Sequence, residues 1–246
     1  MKLTLKDKLI RGGGNVLKSI KKNSMFIGFG IMMIIVIISG AGYSNKNDTI
    51  QVKNYFPIDK PITYELEGTF NDMENAEIRK MTAQVEREGK SKVAGIDVYV
   101  EKQIYFDESK NKDFECETYS NYDKDGNIVE FGKKVNDKLT WNNKPAIFLQ
   151  NANIGNIYGG TDKTILASNE GDNNGNKATI ELKGLIDLNI DDKVYKDCLF
   201  VEKNFYDGKD IVRKEQLYLQ KGFGLIKYVE ESFKESYKFE ISYKGK

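Results

Sequence analysis

Two patterns of apolar and polar positions divide this chain. Met25–Tyr43 (MFIGFGIMMIIVIISGAGY) is a continuous apolar run without a charge. As a helix its nineteen residues would span roughly 28 Å at about 1.5 Å per residue. That is close to the roughly 30 Å hydrocarbon core of a bilayer, and it predicts one transmembrane helix. From Tyr55 onward the pattern changes to alternation. Ile62, Tyr64 and Leu66 alternate with Thr63, Glu65 and Glu67, the period-two signature of a strand with one buried face.

The same signature predicts a run of strands. Asn71–Lys80 fits a short helix or the start of a strand that continues through Arg79–Arg87. Glu88-Gly89-Lys90-Ser91 reads as a turn before a long strand, Val93–Phe106. Phe114–Tyr122 and Ile128–Phe131 flank an Asp125-Gly126 hairpin turn. Lys138–Trp141 and Ala146–Leu149 read as two short strands, and Asn151–Gly160 and Asn169–Asn176 as loops. Ala178–Leu182, Val194–Tyr206, Ile211–Gln220, Gly224–Glu231 and Tyr237–Tyr243 complete the series, with turns at Asp207-Gly208 and Gly222-Phe223-Gly224. The predicted fold is all-β and mainly antiparallel: a curved meander sheet or half-barrel outside the membrane, preceded by one N-terminal transmembrane helix. The predicted organisation is a basic cytoplasmic tail (1–24), a signal anchor (25–43), a polar spacer (44–54) and an extracytoplasmic β domain (55–246).

Charge sets the orientation. Residues 1–24 carry seven basic groups against Asp7, a net of +6. Taking this from the whole-chain +1 leaves −5 for residues 44–246. The positive-inside rule places the tail in the cytoplasm and residues 44–246 outside the cell, on a single-pass membrane protein. Ser39-Gly40-Ala41 offers a cleavage site, but the long basic segment and full-length apolar run favour an uncleaved anchor. A mildly acidic outer domain disfavours nucleic acid as a partner.

Candidate chemistry is sparse. The chain has no histidine, which removes the commonest general base and the usual zinc sets. Cys116 and Cys198, the only cysteines, form no metal spacing; a disulfide between them stays open. Asn121-x-Asp123-x-Asp125-Gly126-x-Ile128 matches half a calcium loop, but Gly132 stands where the bidentate glutamate belongs, and a polar hairpin turn explains every residue. Glu170 and Asp172 read as solvated loop acids. Gly222-x-Gly224 lacks the third glycine and the helix of a dinucleotide fingerprint. Glu101-Lys102 and Glu202-Lys203 are adjacent on strands and so point to opposite faces. Tyr99, Tyr105, Tyr119, Tyr122, Tyr195, Tyr206, Tyr218 and Tyr228 either fill sheet cores or line a concave binding face. Cys198 reads as an inert core residue. No set of residues nominates a catalytic, cofactor or metal site, and no cofactor is expected.

One internal similarity stands out. Val93-(six residues)-Val100-Glu101-Lys102-Gln103-Ile104-Tyr105 matches Val194-(six residues)-Val201-Glu202-Lys203-Asn204-Phe205-Tyr206. Either a duplicated β-meander or two independent amphipathic strands would produce it.

Val194-Tyr195-Lys196-Asp197-Cys198-Leu199-Phe200-Val201-Glu202, the hairpin Leu217–Lys227 with Gly222-Phe223-Gly224, and the opening Tyr55-Phe56-Pro57 resemble the uncharacterised lipoprotein-like secreted β-domains of Gram-positive bacteria. The resemblance covers most of residues 55–246. It implies a curved antiparallel sheet similar to the half-barrels of periplasmic lipoprotein carriers, and it brings no activity. This chain departs from those domains in using a membrane anchor in place of a lipidated cysteine. The expected function is a membrane-anchored module, held by Met25–Tyr43, that binds an envelope lipid, glycan or protein. A structural subunit of a membrane complex is the alternative, and a carboxylate-dependent envelope hydrolase the third reading.

Overall fold

The computed structural model describes residues 48–148, 150–159 and 177–245. Met25–Tyr43 and Asn169–Asn176 lie outside the described residues. Among the described residues no helix is long and apolar enough to cross a membrane.

The described chain is all-β. Strand β1 (Thr49–Gln51) and a 3₁₀ turn (Val52–Asn54) precede β2 (Ile62–Asp72), β3 (Glu77–Val93), β4 (Ile96–Phe106), β5 (Lys112–Tyr122), β6 (Ile128–Val135) and β7 (Lys138–Phe148). Then follow β8 (Asn151–Asn153), β9 (Ile157–Gly159), β10 (Lys177–Ile190), β11 (Lys193–Asp207), β12 (Asp210–Gln220), β13 (Gly224–Ser232) and β14 (Tyr237–Tyr243). Twelve strands form one sheet in the order β7-β6-β5-β4-β3-β2-β14-β13-β12-β11-β10-β9; β1 and β8 pair separately. The chain thus enters mid-sheet at β2, meanders outward to β7, crosses to the far edge, and meanders back until β14 pairs with β2.

That central seam is antiparallel and apolar on one face: Phe70 lies opposite Phe239, and Leu66 opposite Tyr243. Its closeness depends on a glycine. Gly68 faces Ile241, and a Cβ there would run into the Glu240 carbonyl. Directly opposed residues share a face of the sheet. Tyr64, Leu66, Phe70, Met81, Ala83, Val85, Phe239 and Ile241 therefore form one buried layer, the inner face.

Packing shows the curvature. Ile128 of β6 shares a core cluster with Leu219 of β12 and Val201 of β11. β6 and β12 are seven positions apart in the sheet, about 34 Å on a flat sheet with 4.8 Å spacing. The sheet must curl to bring them together. Ile50, Val52 and Tyr55, with Ala152 and Ile154 of the crossing segment, fill the space between its arms. With edges at β7 and β9, the barrel is open.

Several expectations need correction. Residues 48–54, expected to be spacer, carry β1 and bury Ile50 and Val52. The Asn71–Lys80 ambiguity resolves to a β2–β3 turn at residues 73–76, without a helix. Glu88-Gly89-Lys90-Ser91 is a bulge within β3, where the register to β4 slips between Arg87 and Lys90. The turn falls later, at Ala94 and Gly95, both with positive φ. Lys138–Phe148 is one strand, not two.

β11 breaks strict alternation. Alternation puts Tyr195 opposite in face to Cys198. However, Asp197 adopts φ 52°, and the pairing slips between Ile186/Cys198 and Leu188/Tyr195. The inserted residue reverses the side-chain order. Tyr195 and Cys198 consequently share one cluster with Leu188, Ile190 and Ile226.

Candidate functional site

An open cleft of about 490 Å³ lies at one end of the sheet, lined by Lys53, Asn54, Pro57, Asp59, Lys60, Tyr122, Gly126, Lys221 and Gly222. Three chain segments build it: the stretch from the 3₁₀ turn to β2, the β5–β6 hairpin turn, and the β12–β13 turn.

Each wall is fixed by burial and hydrogen bonds. Val52, Tyr55 and Pro57 are buried, so the first segment is anchored at every second or third residue. The Val52 amide donates to the Gln150 carbonyl at 2.9 Å, and the Gly222 amide donates to the Asn54 carbonyl at 2.6 Å. Beneath the floor lies Arg87. Its guanidinium donates to the Pro57 carbonyl at 2.9 Å and to the Phe223 carbonyl at 3.4 Å, tying the first wall to the third. The Glu101 carboxylate balances that charge at 3.1 Å, with the Arg87 side chain 4% exposed and that of Glu101 31%. Gln103 donates to Glu101 at 2.9 Å, and the Tyr105 hydroxyl donates to Gln103 at 2.8 Å. The cleft therefore stands on a connected polar row of the inner face.

The second wall is the turn that carried the half calcium motif. Asp123 accepts the amides of Asp125 and Asn127, both at 2.9 Å, and the Asn127 side-chain amide at 2.8 Å. Burial pushes this carboxyl up, but these bonds and that of the Gly126 amide outweigh it and hold the carboxyl below its usual range. The oxygens are spent on the turn. Among the described residues no group of three potential metal ligands occurs. Asn127 also accepts the Gln150 amide at 2.8 Å, which locks this turn to the crossing segment.

The electrostatics inside the cleft are uneven. Lys53, Lys60 and Lys221 are exposed, and Asp59 is the one acid of the lining. Asp59 accepts the Tyr122 hydroxyl at 3.2 Å. Burial, then the Asp59 charge, raise the Tyr122 pKa, so the phenol stays protonated.

The tyrosines singled out in the sequence do not share a face. Tyr122 alone lines the cleft. Tyr105 lies in the inner core with Tyr228 packed against it. Tyr195 and Tyr218 belong to the Cys198 cluster. Tyr119 sits on the outer face with Val98, Val100 and Trp141. Cys116 and Cys198 form no disulfide with each other. Burial, followed by the Asp187 and Asp197 charges, pushes the Cys198 thiol up to about 12, which suits an inert core thiol.

The sequence pointed to neither Arg87 nor a second polar cluster around Glu230. Glu230 lies opposite Glu215 across β12 and β13. It accepts the Tyr228 hydroxyl at 2.6 Å and the Tyr237 hydroxyl. Glu215 pairs with Arg213 at 3.3 Å and Lys203 at 3.6 Å. Burial and the Glu215 charge raise the Glu230 pKa. Glu230 is 2% exposed, so this cluster is interior structure. The missed signal was alternation itself: it places Glu215 and Glu230 on the apolar face of their strands, where an acid requires partners.

No known protein family matches the chain, and no curated protein does. The Gram-positive resemblance therefore gains no support from relatives. Solved structures with a similar course include a protein with a YmcC-like fold from Bacteroides fragilis (8% identity, 75% of this chain and 95% of that one, TM-score 0.37). A β-barrel-like protein of the domain of unknown function DUF1849 from Brucella abortus is similar over the same shares (9% identity, TM-score 0.42). A DUF1329 protein from Desulfovibrio piger matches 78% of this chain and 87% of its own (12% identity, TM-score 0.32).

Proposed function

We propose that this chain is a membrane-tethered extracytoplasmic binding module that engages an envelope component through the cleft at the hairpin end of its sheet. The observation that carries this reading is the contrast between interior and cleft. The concave layer, one of the two places open for a ligand in the sequence, is filled by fully buried side chains such as Phe70, Met81, Val85 and Phe239. The cleft is open and is braced from three segments by Arg87, Gln150 and Asn54. Met25–Tyr43 supplies the tether in this reading, with residues 44–246 outside the cell.

A photo-crosslinking residue at Asn54, introduced in the native host, should form a defined adduct that the same residue at exposed Thr69 does not. No adduct above the Thr69 background would overturn the cleft reading. A cysteine at Ser44 should react with an impermeant thiol reagent in intact cells, which checks the orientation separately.

A second reading, a subunit of a larger membrane complex, draws on the opposite end of the sheet. There Met73, Ile78 and Phe233 are exposed, Ile78 at 66%. The β2–β3 and β13–β14 turns abut through the Met73 amide and the Ser236 carbonyl at 2.8 Å. Adducts at Ile78 but not at Asn54 would favour that reading.

A further inference from the structure

The cleft gathers three lysines within a domain that is net acidic. Many lysines elsewhere on the sheet find carboxylates, although Lys92, Lys110, Lys138 and Lys209 have none among the described residues. Lys102 pairs with Glu115 at 3.4 Å, Lys183 with Glu181 at 2.6 Å, Lys227 with Glu240 at 2.6 Å and Lys134 with Glu117 at 3.3 Å. Lys53 and Lys60 from the stretch before β2, and Lys221 from the β12–β13 turn, come together on one cleft. None of them has an ion-pair partner among the described residues. The only acid of the lining, Asp59, directs its carboxylate to the Tyr122 hydroxyl although it is adjacent in sequence to Lys60.

Free ammonium groups are strongly hydrated point charges, suited to an anion that presents several oxygens without a fixed planar geometry. Three lysines against one aspartate leave the cleft about two positive charges in excess. A phosphomonoester carries about −1.5 to −2 near neutral pH, whereas a carboxylate carries one charge. The walls oppose rearrangement: Asn54 and Gly222 are joined by a backbone hydrogen bond, and Arg87 holds both flanking carbonyls. The positive charge is thus presented on a braced frame.

We infer that the cleft binds a phosphate-bearing anion, clamped by Lys53, Lys60 and Lys221. This rests on the cleft reading above and names its ligand chemistry. Doubly charged phosphate occurs free and as a monoester and matches the charge excess best; the diester headgroups of anionic phospholipids present the same oxygens with a single charge.

The full-length protein in a non-ionic detergent, titrated calorimetrically at low and high salt, separates these sources. The probes are inorganic phosphate, glycerol 3-phosphate, glycerophosphoglycerol and, as a control, acetate. At least one phosphate probe should bind saturably and weaken with salt. Preference for the first two identifies a free phosphate or monoester; preference for the third identifies a lipid-type diester. Each single Lys→Gln change should weaken binding about three- to tenfold, roughly 0.7–1.4 kcal/mol, and the triple change should abolish it. Asp59→Asn should tighten it, an effect that a structural role for Asp59 would not produce. All four side chains are exposed, so these variants should keep the wild-type dichroism spectrum.

Absence of saturable binding by every phosphate probe, equal binding of acetate, or full binding by the triple variant would each overturn the assignment. The two readings fail differently. If the Asn54 adduct persists in the triple lysine variant, the cleft reading stands and the phosphate assignment falls. If the wild type forms no adduct, the cleft reading itself falls.

Discussion

Val100-Glu101-Lys102 on β4 and Val201-Glu202-Lys203 on β11 carry the same three residues in the same strand context and play opposite parts. Their register is the same: Val100 lies opposite Tyr119 and Lys102 opposite Glu117, while Val201 lies opposite Leu217 and Lys203 opposite Glu215. Their faces differ. Phe239 opposes Glu230, Glu230 opposes Glu215, and Glu215 opposes Lys203, so Lys203 and Val201 are on the inner face. Leu66 opposes Ala83, Ala83 opposes Tyr105, and Arg87 opposes Glu101, which places Glu101 on that same face. Val100 therefore points outward into the small Val98–Tyr119 cluster, whereas Val201 lies in the main core. A one-residue change of facing exchanges every side chain between core and surface. Shared letters at equivalent places in two meanders do not encode a shared core, and Glu101 is free to brace Arg87 beneath the cleft only because its strand faces the other way.

The largest expected effect is on the glutamates. Glu101→Leu leaves the buried Arg87 guanidinium unpaired and should cost about 3–5 kcal/mol. Glu202→Leu should cost less than about 1 kcal/mol, because Lys183 and Lys214, with side chains 31% and 32% exposed, can turn to water. Equal losses in urea unfolding would erase the distinction between the two strands. The valines should show the reverse order. Val201→Ala removes two methyl groups from a closed core and should cost about 2–3 kcal/mol. Val100→Ala, in a cluster that can collapse, should cost about 1 kcal/mol, and equal values would break the face assignment.

Cys198 sharpens the description of the β11 bulge. It is fully buried beside Tyr195 and Ile226. Cys198→Ala should cost about 1–2 kcal/mol, and Cys198→Asp far more, since it buries a charge without a partner. Labelling of the native thiol as fast as in an unfolded control would refute the packing.

The smallest effect is a slope with pH, and it belongs to the β11–β14 arm alone. Burial raises the folded pKa of Glu230 above the unfolded value of about 4.3. Its contribution to stability is therefore full below about pH 4.3 and is lost as the pH rises through the folded value. Unfolding midpoints should fall from about pH 5 toward neutrality in the wild type, and Glu230→Gln should flatten that segment. A Glu230→Gln curve parallel to the wild type would assign the slope to other groups.

Local pattern determined much of this protein. Alternation at Ile62–Glu67 and Tyr237–Tyr243, and turn chemistry at Asp125-Gly126 and Gly222–Gly224, specify strands and hairpins through neighbouring residues alone, so they were legible without a structure. The apolar Met25–Tyr43 and the basic residues before it are local pattern too, but they lie outside the described residues. Facing was not legible. It depends on bulges at Arg87–Lys90 and Asp197, each a single inserted residue that reverses everything beyond it, and on the β2–β14 seam between residues far apart in sequence. The cleft was still less legible. Lys53, Lys60, Tyr122 and Lys221 lie on three segments that meet only after the sheet curls, and Arg87 finds Pro57 and Phe223 only once that closure has occurred. Sequence by itself determined the elements because hydrogen-bonding period and turn geometry are local; only the tertiary structure decided core, facing and site, because those follow from closure of a sheet between distant strands.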